Sequence, residues 1–170
     1  MTLAIEKISG KRLYPPRQSG FTQEFWRALG EGRFITTRCA ACTKLSFPPK
    51  PFCPHCWHER VEWTPLSPAG TVYSSTVIHA APAVFKHEAP YRVGIVDLDD
   101  GVRIATRLLG VKDGFAGKDG FAGKDGFAGK DGFAVGKRVA IIVLQHDDGP
   151  LFAARVTPTP ALPPAQGEGA

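Results

Sequence analysis

No stretch of this 170-residue chain approaches the roughly 18–20 consecutive apolar residues that a membrane-spanning helix needs. The opening residues, MTLAIEKISGKRLYPP, also lack the apolar centre of a signal peptide, so a cytoplasmic protein without a membrane segment is expected. Cysteine is absent outside two C-x2-C pairs, which leaves no spare thiolate for covalent catalysis. A nucleophile elbow, an H-E-x-x-H helix and a phosphate-cradling glycine pattern are missing too. His79 and His87, with Ser74, Ser75 and Asp97 near them in the chain, are the only acid–base candidates, and they read as strand-face or loop polar groups. Helical periodicity is scarce. It is confined to TQEFWRAL at 22–29, where Thr22 is placed to cap, Phe25, Trp26 and Leu29 form an apolar stripe, and Gly30 is placed to end the helix.

What is present describes a packed globular chain. Apolar residues make up 43% and charged residues 22%, far from a disordered composition. The length suits one ordinary domain or two small ones. The net charge of +5 is unevenly spread: residues 1–60 carry 10 Lys/Arg against 4 Asp/Glu, whereas residues 61–170 carry 11 against 12. The basic N-terminal third points to a phosphate-bearing or acidic partner, or to a solvated basic face.

Residues 1–20 read as an extended arm and residues 21–66 as a helix followed by a cysteine-bearing ribbon. The turn-rich LSPAG at 66–70 marks a boundary, so residues 67–156 form the second unit. Its β-branched runs, Thr71–His79, Tyr91–Leu98, Val102–Leu109, Lys137–Gln145 and Leu151–Val156, predict a mainly β fold with a small five-stranded antiparallel barrel. Asp99-Asp100-Gly101 predicts a hairpin between the second and third strands. Three tandem KDGFAG units and a truncated fourth occupy 112–134, with one large apolar side chain per unit, too little burial to offset backbone ordering of about 1–2 kcal/mol per residue. A mobile loop is expected there, and a disordered Pro/Ala/Gly-rich tail over 157–170.

The strongest chemical signal is Cys39-Ala-Ala-Cys42 and Cys53-Pro-His-Cys56. Two thiol pairs on tight knuckles, brought together by a hairpin whose return is Lys44–Phe52, present the tetrahedral sulfur set that zinc prefers. Four thiolates close the shell, which implies a structural ion. Iron takes the same ligands; disulfides or a redox dithiol are the competing readings, disfavoured by the cytoplasmic expectation and by the lack of a thioredoxin-like context. His55 lies inside the second pair, where the knuckle should turn it outward. Phe34, Leu45, Phe47, Phe52, Trp57 and Trp63 are placed to cover the ribbon and join it to the barrel.

The helix FWRAL, the C-x2-C followed by PPKPFCPHC, Trp63, the Gly70-Thr71-Val72-Tyr73 start of the barrel and the Pro90-Tyr91…Asp97-Leu98-Asp99…Gly101-Val102 hairpin together resemble the acyl-CoA-associated OB-fold family. In that family a helix and a rubredoxin-like zinc ribbon precede a five-stranded OB barrel. The resemblance covers about residues 21–156. It implies a non-catalytic accessory subunit that supports assembly and acyl-CoA use beside a thiolase-type or lipid-transfer-like enzyme, or an enoyl-CoA hydratase. The glycine often found after each second cysteine is replaced by Thr43 and Trp57, which suggests slightly tighter knuckles. Arg33, Arg38, Lys44 and Lys50 flank the first knuckle and the return strand, and are the candidates for contact with CoA phosphates or an acidic partner face. The alternative is a single-stranded nucleic-acid module, since OB barrels and zinc ribbons serve there too. Against it stand the acidic balance of the barrel half and the Asp97, Asp99 and Asp100 cluster.

Overall fold

The computed structural model describes residues 2–110 and 134–157. The repeat loop expected over 112–134 and the tail expected over 157–170 lie, apart from Ala134 and Thr157, outside the described residues.

The fold is mostly β. Among the described residues, one helix, α1 (Gln23–Gly30), and one 3-10 turn (Ala83–Glu88) accompany nine strands: β1 (Ile5–Lys7), β2 (Ile35–Cys39), β3 (Leu45–Ser46), β4 (Val61–Pro65), β5 (Ala69–Ile78), β6 (Tyr91–Leu98), β7 (Arg103–Leu109), β8 (Arg138–His146) and β9 (Gly149–Val156). Strands β5 to β9 are the five expected runs. They pair in the order β8-β5-β6-β7-β9, and β8 pairing with β9 closes the barrel. Closure removes the exposed strand edges that would otherwise invite association. A bulge between Val72 and Ser74 bends β5, the longest strand, as it passes from β8 to β6. The expected hairpin forms at 99–101, with Gly101 at φ +77°.

β5 pairs with β8 only from Arg138 to Ala140, which leaves the rest of that edge of β8 uncovered. The N-terminal arm fills the gap. β1 runs parallel to β8, with Ile5 opposite Val143 and Lys7 opposite Gln145. Leu3 and Ile8 are buried on either side of β1. The arm ends on the β8–β9 turn, where the Arg12 side chain is buried against Asp148 and donates to the Asp148 and Pro150 carbonyls at 2.5 and 3.3 Å.

α1 buries Phe25, Ala28 and Leu29, spaced i, i+3 and i+4 as one helical face requires. Two sequence readings of its ends are corrected. Thr22 makes no side-chain cap; its hydroxyl is taken up by Ser19, accepting from the Ser19 N–H at 2.9 Å. Gly30 is the last helical residue rather than the terminator. The left-handed residue is Gly32, at φ +76°, where its N–H donates to the Leu29 carbonyl at 2.9 Å.

Ribbon and barrel share one core. Phe25 of the helix, Phe34 before β2, Phe47 after β3 and Phe152 of β9 form an aromatic cluster with centroid separations from 5.7 to 6.4 Å. Leu45 and Trp63 pack on the same core, as expected. Phe52 and Trp57 do not. They stack on each other at 5.7 Å and stand exposed, Trp57 by 74%. The reason is position: both lie in the second knuckle, beyond the reach of the core.

Candidate metal centre and adjoining cleft

β2 is the centre of a three-stranded antiparallel sheet in the order β3-β2-β4. Its last residue is Cys39, so the strand delivers the first thiol directly to the knuckle. Buried threonines hold the return segment against it. Thr36 donates to the Ser46 carbonyl, and the Thr37 hydroxyl meets both the N–H and the carbonyl of Lys50 at 3.3 Å.

The two knuckles have the same hydrogen-bond plan. Cys39 N–H donates to the Lys44 carbonyl at 3.0 Å and Cys53 N–H to the His58 carbonyl at 2.9 Å. Both chains thereby turn within five residues and bring the second cysteine of each pair back beside the first. All four Sγ atoms lie within 4.8 Å of one another. Between the knuckles, Cys39 to Cys56 and Cys42 to Cys53 are each 3.6 Å apart. A tetrahedron of thiolates about 2.3 Å from a central ion has sulfur–sulfur edges of about 3.8 Å, whereas a disulfide needs about 2.05 Å. The arrangement therefore fits one metal ion and no disulfide.

Electrostatics at Cys39, Cys53 and Cys56 agree with that use. The Cys42 N–H, at 3.4 Å, and the Ala41 N–H pull the Cys39 thiol down to about 6. Burial pushes Cys53 up, but the N–H groups of His55 and Cys56 outweigh it and the thiol is lowered. At Cys56 the His58 N–H pulls downward, yet the neighbouring sulfurs and burial raise it to about 12. The neighbouring sulfurs hold back ionisation of Cys56, and a bound cation would relieve that repulsion.

His55 is turned away from the sulfurs, with Nε2 3.3 Å from the Leu45 carbonyl. It faces a cleft of about 530 Å³ between the ribbon and the barrel hairpin. Arg38 and Lys44 line the same cleft, as does Asp100 from the hairpin, whose carboxylate accepts from the Ser67 N–H at 2.6 Å. Of the four basic candidates the structure thus brings two together. Arg33 sits past the helix end, paired with Glu31 at 2.7 Å, and Lys50 is tied by its backbone to Thr37; neither lines the cleft. His55 is turned outward by the knuckle as expected; its place beside Leu45, ten residues earlier in the chain, is set by the tertiary structure. Among the acid–base candidates, Asp97 is held by Arg103 at 2.6 Å. Arg138 is likewise held by Asp99 at 2.7 Å, so these two barrel arginines are engaged in ion pairs. Among the described residues no helix is long and apolar enough to cross a membrane.

Residues 26–62 match the family profile of the ChsH2 rubredoxin-like zinc ribbon domain, and residues 63–119 that of the ChsH2 C-terminal OB-fold domain. The chain is 39% identical over 104 residues to a probable enoyl-CoA hydratase alpha subunit of Thermomonospora curvata, covering 59% of this chain and 32% of that protein. It is 38% identical over 78 residues to the benzoylsuccinyl-CoA thiolase subunit BbsA of Thauera aromatica, covering 46% and 53%. It is 31% identical over 90 residues to a DUF35 domain-containing scaffold protein of Methanothermobacter thermautotrophicus, covering 52% and 68%. The chain thus spans about a third of the hydratase subunit and about half of the thiolase subunit. Among solved structures, the Ltp2-ChsH2(DUF35) aldolase aligns with TM-score 0.63 and 29% identity over 84% of this chain and 98% of that one. Fold, cysteine cluster and sequence agree, and the chain belongs to the DUF35 family, a rubredoxin-like zinc ribbon joined to an OB-fold barrel.

Proposed function

We propose that the protein is a non-catalytic accessory subunit of an acyl-CoA-processing enzyme complex, with a thiolase-type enzyme as its partner, and that its ribbon holds one structural zinc ion. The observation that carries the reading is the likeness to a thiolase subunit and to scaffold proteins, on a chain whose four thiols converge on a single cluster. A lipid-transfer-like enzyme or an enoyl-CoA hydratase is the next partner class, supported by the aldolase and hydratase names among the relatives.

Cys39, Cys42, Cys53 and Cys56 would hold the zinc, which would supply geometry alone, fixing the two knuckles whose Thr43, Lys44 and His55 line the neighbouring cleft. Arg38 and Lys44 in that cleft are the groups proposed to meet CoA phosphates, the guanidinium as a planar fork and the ammonium as a point charge, with His55 beside them. Arg33 and Lys50 are left to the partner surface.

A tagged pull-down from the native host, with identification of co-purifying proteins and metal analysis, tests the assignment. Recovery of a thiolase-type enzyme with one zinc per chain supports it. Recovery of nucleic acid without such an enzyme overturns it. Reversing charge at Arg38 and Lys44 should weaken CoA binding and flatten its salt dependence; unchanged titrations would remove CoA from this cleft.

A further inference from the structure

The barrel has a second apolar layer that a water-facing wall does not need. An antiparallel strand with one wet face alternates apolar and polar residues. β8 does not: from Val139 to Leu144 only Ala140 escapes full burial. Val139, Ile141 and Val143 point into the main core. Ile142 and Leu144, on the opposite face, form a separate cluster with Ile8 of the arm, Leu109 of β7 and Ala153 of β9. Among the described residues Ile8 covers part of this layer. Leu144 and its cross-strand neighbour Leu151 continue into a cleft of about 360 Å³ between the arm, the 3-10 turn and β6 to β9.

Volume and charge define what the cleft can take. Its size falls within the roughly 300–1,000 Å³ typical of small-molecule sites. The Leu13 and Tyr14 side chains stand at its rim, 41% and 70% exposed. Its one formal ion pair, Arg107 with Glu88, is largely buried at 18% and 13% exposure, and the guanidinium lies 4.5 Å over the Tyr91 ring. The pair cancels its own charge and the aromatic face stabilises the cation, and a buried imidazole, His146, also lines the wall. A full charge brought here would be desolvated against mostly apolar walls.

We propose that this cleft is a binding site for an uncharged, predominantly apolar small molecule. The site is separate from the basic cleft beside the ribbon, and the inference does not rest on the accessory-subunit reading.

The test uses the full chain in its metal-loaded form and the neutral fluorophore N-phenyl-1-naphthylamine. Saturable enhancement at one probe per chain is expected, with displacement by 1-decanol and none by CoA. Ala105→Trp fills the cleft from an exposed position on β7, and Leu13→Glu places a charge at its rim. Each should weaken probe binding at least about tenfold while the melting curve and metal content stay those of the parent. Absence of saturable binding, displacement by CoA, or unchanged binding in the folded variants overturns the proposal. Should Ala105→Trp fail to fold, Leu13→Glu decides alone, because that residue lies on the surface of the arm. Loss of CoA binding in Arg38 and Lys44 variants with probe binding intact would separate the two clefts.

Discussion

Thr43 and Trp57 hold the same position in the two cysteine knuckles. Each follows the second cysteine of its pair, each has φ +61°, and each donates its N–H to the carbonyl of the pair's first cysteine, at 3.1 and 3.0 Å. The knuckle therefore demands a left-handed residue at this place whatever its side chain, and this is the physical reason a glycine suits it. Thr43 and Trp57 carry this left-handed backbone with a Cβ, where glycine would carry none.

Thr43→Gly should stabilise the metal-loaded chain. A left-handed residue with a Cβ costs about 1–2 kcal/mol, and glycine's freer unfolded chain returns roughly 0.5–1 kcal/mol of that. The net gain is about 0.5–1 kcal/mol, read as a higher midpoint in denaturant. An unchanged or lower midpoint would show that the knuckle carries no such strain.

Removing the metal should loosen the whole molecule rather than the ribbon alone, because Phe34 and Phe47 belong to the same core as Phe152 of the barrel. Chelation, or Cys53→Ser at a fully buried sulfur, is expected to lower the melting temperature as one cooperative transition. Two separate transitions would mean that the barrel stands by itself. Iron with its visible absorption, in place of one zinc per chain, would reverse the zinc assignment.

The contact between Phe47 and Phe152, 5.8 Å edge to face, should be measurable as coupling. Both rings are only partly buried, so each truncation to Ala is expected to cost about 2–3 kcal/mol, below the range for a fully buried Phe. A double-mutant cycle should return an interaction of about 0.5–1.5 kcal/mol. Strict additivity would place the ribbon–barrel energy elsewhere.

Asp148 supplies a pH-dependent lock on the arm. The Arg12 N–H, at 2.8 Å, and then the Arg12 guanidinium hold its carboxyl below the usual 3.8. A carboxylate lowered on folding stabilises above its unfolded value, and that contribution disappears as pH falls through the folded one. The stability difference between the parent and Asp148→Asn should thus be constant near neutrality and shrink below pH 3.8. The difference is what matters, since acid also displaces metal from both proteins. A difference that persists at lower pH would assign Asp148 a purely structural role.

Much of this was legible beforehand. The runs from Tyr91 to Leu98 and from Lys137 to Gln145 needed only β-branched residues between turn signals, and the cysteine spacing needed only the chemistry of thiolates. Element ends were less legible, because Thr22 had a competing partner in Ser19 and Gly30 a competing glycine two residues on. The aromatic residues show the limit most clearly. Phe47 and Phe52 are the same residue type five positions apart, yet one joins the core and the other stacks in the open with Trp57.

Local chemistry was therefore enough for the sequence by itself to determine the strands, the helix and the metal-binding knuckles, since turn residues, periodicity and thiol spacing act over a few residues. Only the tertiary structure decided which distant groups meet. Ile5 reaches β8 at Val143, Arg38 and Lys44 share a cleft with Asp100, and Leu13 borders a pocket floored by Leu144 and Leu151. Those encounters depend on barrel closure and on an edge of β8 left free, which are properties of the assembled sheet and of no single segment.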